Sequence, residues 1–143
     1  MKAGKGKAAL AGGLLLAGPT AAQGAELTLR VTGVASDTHE VLVQVYRGSD
    51  GFRDPEQAVR RVAAPARKGT VTFRLDGLEP GRYAVICFHD QDGDSEMDRF
   101  LGMVPTEGYG LSRNPEVMGP PAFADSAFDL DEAGTALDIR LRY

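Results

Sequence analysis

Five carboxylates fall within nine residues, at Asp90, Asp92, Asp94, Glu96 and Asp98, and no basic residue follows until Arg99. Like charges this crowded oppose a tight loop unless water or a cation separates them. The i, i+2, i+4 spacing is what a hard, oxygen-seeking ion requires of a loop wrapped around it. Calcium takes six to eight oxygens at about 2.3–2.6 Å, from alternating side chains and a backbone carbonyl, whereas magnesium prefers to keep its waters. Calcium is therefore the expected cofactor, with a solvated acidic turn as the alternative. If Asp90 takes position one, Asp92, Asp94 and Asp98 take positions three, five and nine, and Glu96 offers its carbonyl at seven. A helix-flanked calcium hand needs glycine at six and glutamate at twelve, where this chain has Ser95 and Leu101. The expectation is an Asp-rich loop on a β scaffold, completed by a distant oxygen such as Glu107.

Other chemistry is sparse. His89 precedes the loop, but imidazole suits zinc or copper better than calcium. His39 lies on a separate segment, and neither His-x-His nor Glu-x-x-His occurs. His89 is predicted to be a structural histidine at a strand end. Cys87 sits in an apolar run with no neighbouring cation, the setting of a core thiol rather than a nucleophile. A single cysteine rules out an internal disulfide framework. There is no Gly-x-Ser-x-Gly elbow. A second candidate region is the Gly- and Pro-broken stretch 102–121, where Glu107, Tyr109, Ser112, Arg113 and Asn114 form a possible recognition surface for a glycan or peptide. The structural alternative is a segment that covers a sheet edge.

The elements that must hold these residues read in period two. Leu27, Leu29 and Val31 alternate with Thr28, Arg30 and Thr32; Val41, Val43 and Val45, Val71, Phe73 and Leu75, and Leu137, Ile139 and Leu141 do likewise. Alternation marks strands with one buried face. Tyr83 to Phe88 is apolar on both parities, which predicts a central strand covered on both sides. Further strands are expected at 59–64, 100–104 and 122–130. Asp54-Pro55 predicts one helical turn, with Asp54 as cap. Seven or eight short strands separated by Gly, Pro and Asp predict a single all-β sandwich over 26–143. In Leu78-Glu79-Pro80-Gly81-Arg82-Tyr83, a type II turn is expected at Pro80-Gly81 with glycine at positive φ, Leu78 tucked inward and the Tyr83 hydroxyl capping backbone. This leucine, Pro-Gly, tyrosine pattern resembles prealbumin-like and immunoglobulin-like modules of exported bacterial proteins.

The first residues differ from the rest. Lys2, Lys5 and Lys7 precede the apolar run Ala8 to Ala17, and Pro19-Thr20-Ala21-Ala22 adds a breaker and small residues. This is the layout of a secretory signal peptide, here expected over 1–22 with cleavage near 22–25. A run of about ten residues is too short to cross a bilayer. Loss of three lysines takes the formal net charge from −4 to −7. An acidic exported protein is a poor partner for nucleic acid, and after signal removal no transmembrane helix is expected. The predicted location is periplasmic or secreted.

Several blocks together resemble one bacterial family. They are Cys87-Phe88-His89-Asp90 with its acidic loop, the Pro105 to Ser112 run, Gly119-Pro120-Pro121-Ala122-Phe123, Asp125-Ser126-Ala127-Phe128 and the terminal Ile139 to Tyr143. The family is the exported domain of unknown function 2141, and the resemblance covers essentially all of the mature chain. In that family the loop more often reads Asp-x-Asn-x-Asn-Gly, so Ser95 is a departure. The resemblance implies an exported β-sandwich without an established activity. The leading expectation is a non-enzymatic, calcium-stabilised module that binds an envelope or extracellular partner, a protein or a glycan; nothing in the sequence specifies an oligomer. Two alternatives are a small hydrolase of glycans or esters using Asp92, Asp94 or Glu107, and a small outer-membrane β-barrel ending in Tyr143.

Overall fold

The structure, a computed structural model, describes residues 24–95, 99–100, 104–105, 107–116 and 119–143. The expected signal peptide, Glu96 and Asp98 lie outside the described residues. The chain runs through β1 (Ala25–Val34), β2 (Glu40–Arg47), a 3-10 turn (Pro55–Gln57), β3 (Arg60–Pro65), β4 (Gly69–Leu78), β5 (Gly81–Asp90), β6 (Arg99–Phe100), β7 (Val104–Pro105), β8 (Tyr109–Leu111), α1 (Phe123–Ser126), β9 (Phe128–Leu130) and β10 (Thr135–Arg140). It is an all-β sandwich. One sheet has the order β10-β1-β4, the other β3-β2-β5, and β8 and β9 share the far edge of β5. β9 pairs with Gly81 to Tyr83 and β8 with Ile86 to Phe88. A two-stranded ribbon joins β6 and β7.

Side-chain alternation explains why the sheets face one another. Leu27, Leu29 and Val31 of β1 and Val71, Phe73 and Leu75 of β4 share one core with Val41, Val43 and Val45 of β2 and Tyr83, Val85 and Cys87 of β5. Full burial of a side chain of this size contributes roughly 1.5–3 kcal/mol. The opposite positions of β1 and β4, such as Arg30, Thr72 and Arg74, are exposed. A lipid-facing barrel requires the reverse, apolar side chains outward, and the barrel alternative does not describe this arrangement. β10 lies parallel to β1, with Leu29 opposite Leu137 and Val31 opposite Ile139.

β5 is the central strand expected of an apolar run on both parities, and Tyr83 to Asp90 are all buried. Its second face lies under the segment that follows the acidic loop. Tyr46, Ile86 and Leu111 form a smaller cluster there, joined by Phe52, Ala58 and Tyr109. Cys87 belongs to the main core, and burial pushes its thiol well above the usual range.

Several local predictions hold and three need correction, the first being that the ends of the strand expected at 100–104 belong to two strands, β6 and β7, that pair with each other. Asp54 caps the 3-10 turn by accepting from the Glu56 N–H at 3.0 Å. Leu78 is buried, and the Tyr83 hydroxyl donates to the Glu79 carbonyl at 2.6 Å. The left-handed glycine near that corner is Gly77, φ +74°, rather than Gly81, which opens β5 as extended backbone. The guanidinium of Arg47 occupies the space a Cβ at Gly81 would need. The stretch 122–130 is not one strand. Its first half is the single turn α1, closed by the Asp125 carboxylate on the Ala122 N–H at 2.9 Å, and only Phe128–Leu130 pairs.

Two buried serines after the acidic loop differ in consequence. Ser112 is fully buried; its Oγ accepts from Val85 N–H at 2.9 Å and donates to the Ser126 carbonyl at 2.6 Å. Ser126 Oγ is also buried but has no hydrogen-bond partner among the described residues. Ser112→Ala strands two buried backbone groups and should cost about 2–3 kcal/mol in urea unfolding. Ser126→Ala removes only an unsatisfied hydroxyl and should leave stability unchanged or slightly raised.

Candidate metal centre

β2 and β5 pair without a break from Arg47 opposite Tyr83 to Glu40 opposite Asp90. Asp90 is therefore the last residue of the ladder, on the face covered by the second segment, and is only 1% exposed. The chain must turn there, and the Asp90 carboxylate organises the turn. One oxygen accepts from the N–H groups of Gly93 and Asp94 at 3.1 and 3.2 Å, the other from Ser95 N–H at 2.7 Å. Asp92 adds an acceptor for the Asp94 N–H at 3.2 Å. Gly93 and Ser95 are left-handed, φ +77° and +64°. Ser95 thus holds the conformation that makes glycine the usual choice at the sixth position of such a loop. Ser95 therefore carries in this chain a conformation that glycine adopts more readily.

The fourth carboxylate arrives from the other segment. His89 N–H donates to the Gly108 carbonyl at 2.8 Å, which brings Glu107 beside the loop. Glu107, 5% exposed, accepts from Gln91 N–H at 2.7 Å and from Asp92 N–H at 3.4 Å. One oxygen from each of Asp90, Asp92, Asp94 and Glu107 lies within 4.8 Å of the others. Oxygens at calcium's usual bond length are at most about 5 Å apart across the ion. The spacing therefore fits a shared cation, and two of the four groups are shielded from water. Burial raises the Asp90 carboxyl above its ordinary value, neighbouring Asp92 and Asp94 add to the rise, and the Ser95 and Asp94 amides oppose it.

Three of the five residues proposed from spacing, Asp90, Asp92 and Asp94, converge, and Glu107 joins them as the distant oxygen. The rest of the possible recognition surface lies elsewhere. Ser112 is in the interior, and Tyr109 is half-buried at the edge of the smaller cluster. Arg113 donates to the Ala127 carbonyl at 3.3 Å. Asn114 bonds both ways to β10, donating to Asp138 O at 3.0 Å and accepting from Arg140 N–H at 2.8 Å. These groups clasp the sheet edge.

Two residues near the loop carry no sequence signal that links them to it. The His39 ring lies against Gly93, where a Cβ would meet it at 3.1 Å; the Glu40–Asp90 pairing brings it there. Tyr143 places its hydroxyl 3.1 Å from His89 Nδ1. His89 Nε2 is 2.7 Å from the Thr38 carbonyl, which can only accept. In the neutral ring the proton therefore sits on Nε2, and Nδ1 accepts from Tyr143. His89 is fully buried and bonded at both nitrogens.

A match to the bacterial family described as "Uncharacterized protein conserved in bacteria (DUF2141)" spans residues 29–138. The chain belongs to that family. The match runs from the middle of β1 into β10 and includes all four converging carboxylates. No curated protein and no solved structure matches.

Two outcomes follow from the loop geometry. A left-handed residue with a Cβ costs about 1–2 kcal/mol, part of which glycine returns as chain entropy. Ser95→Gly should therefore raise unfolding stability by about 0.5–1 kcal/mol, and Ser95→Val should lower it. In chelator, a carboxyl raised in the folded state stabilises fully below its unfolded value, and that contribution disappears as pH rises through the folded value. Metal-free protein should thus lose stability relative to Asp90→Asn as pH climbs out of the ordinary carboxylate range, measured by paired melts.

Proposed function

We propose that this chain is an exported, non-catalytic β-sandwich module whose 90–95 loop and Glu107 close around calcium, giving a rigid tip for binding an envelope or extracellular partner. The observation that carries the reading is the convergence of four carboxylates from two separate segments, two of them buried, at a spacing suited to one hard cation. Calcium would neutralise charge that otherwise opposes the closed loop, and its oxygen ligands would come from Asp90, Asp92, Asp94 and Glu107. Glu96 and Asp98, next along the same chain, are the proposed source of further ligands. Export rests on the basic, apolar and small-residue layout of residues 1–22, and the partner class, an envelope protein or glycan, follows from that location.

The absence of a catalytic role is supported by the way the carboxylates are used. Paired carboxylates perform acid–base work when their environments differ and one can reach substrate. Asp90 does differ from the exposed Asp92 and Asp94, but it is buried and both its oxygens accept backbone amides. Its role in this reading is to shape the loop.

Calcium selective for the folded state should stabilise the mature protein by about 2.7 kcal/mol at a hundred times Kd, a rise in Tm on the order of 10 °C. Chelator should reverse the rise, magnesium should give less, and Asp92→Asn with Asp94→Asn should abolish it. An unchanged melt at millimolar calcium removes the metal from the account.

A further inference from the structure

The last three residues join the β1 side of the molecule to the β8 side, as Asn114 does further along the same edge. Leu141 N–H donates to Thr32 O at 2.9 Å on the β1 side, and Arg142 exchanges backbone bonds with Tyr109 at 2.8 and 2.9 Å on the β8 side. Tyr143 then lies across Gly108, where a Cβ would overlap its ring. Its hydroxyl accepts from Ala35 N–H at 2.8 Å and sits 3.1 Å from His89 Nδ1. One tyrosine thus links Ala35, just past β1, and His89, near the end of β5, through its hydroxyl, and covers the residue beside Glu107 with its ring. The Tyr143 residue is 62% exposed, so apolar burial alone does not explain the placement, whereas its hydroxyl is held by Ala35, just past β1, and by His89 of β5.

We propose that Tyr143 is a positioning residue for Glu107: it presses the Gly108 backbone against His89 and so fixes the carboxylate that accepts the Gln91 and Asp92 amides. His89 completes the strap from below, with Nε2 on Thr38 O and its own N–H on Gly108 O. Gly108 is the required residue under the ring, because any side chain there displaces Tyr143. The consequence for calcium rests on the function proposed above; the consequence for Glu107 does not. Groups that orient a metal ligand typically change affinity by ten- to a hundredfold when lost.

The test compares wild type, Tyr143→Phe and Gly108→Ala, each as the full mature chain, by amide hydrogen exchange and calcium calorimetry well below the melting temperature. Tyr143→Phe keeps the ring and removes the hydroxyl. It should speed exchange selectively at Gln91 and Asp92, in chelator as well as in calcium, while β2–β5 ladder amides keep their rates, and it should weaken calcium binding about tenfold. Gly108→Ala should produce the same selective pattern. Uniform acceleration across the ladder, or unchanged rates at Gln91 and Asp92, overturns the positioning role. If wild type gives no calcium heat, the calcium reading fails by itself, and the exchange rates in chelator still decide the role of Tyr143.

Discussion

A carboxylate withdrawn from water at the end of the central strand is the constraint around which one end of this sandwich is organised. Burying a charge is expensive unless hydrogen bonds or counter-charge compensate. At Asp90 three backbone N–H groups supply part of that compensation. They can do so only because Gly93 and Ser95 turn left-handed and aim successive amides inward. Those amides do not remove the repulsion from Asp92, Asp94 and Glu107, whose oxygens crowd the same few ångströms. The proposed calcium would turn that crowding into a favourable arrangement.

The rest of the fold supplies rigidity to that end. β5 is held by β2 from Tyr83 to Asp90 and by β8 and β9 on its other edge. The Ser112 hydroxyl fastens the covering segment to Val85, and Asn114 fastens it to β10. Glu107 is consequently delivered by a segment anchored on both sides. A site assembled on such supports loses less conformational freedom when a ligand binds than one assembled on a free loop.

The sandwich was largely legible in the sequence because its information is local. Alternating Leu27, Leu29 and Val31 or Val71, Phe73 and Leu75 can bury only one face, and a run such as Tyr83 to Phe88 must be covered on both. Segment 122–130 was less legible: Phe123 and Phe128 look strand-like, and the Asp125 cap on Ala122 decides for a turn of helix. The exchange of Gly77 for Gly81 at the corner has a similar origin, since a Pro-Gly pair marks a bend without saying which glycine inverts. Parallel pairing of β1 with β10 depends on contacts more than a hundred residues apart, such as Arg30 with Asp138, which no period reports. Within the site, Asp90, Asp92 and Asp94 were visible from spacing alone. The approach of His39 and Tyr143 was not, because register and chain reversal bring them in rather than any motif.

The most direct measurement of the central claim is a crystal structure of residues 24–143 grown in millimolar calcium. The account predicts one ion bonded at about 2.3–2.6 Å to oxygens of Asp90, Asp92, Asp94 and Glu107. A loop found open under those conditions, with only water among these oxygens, would contradict it.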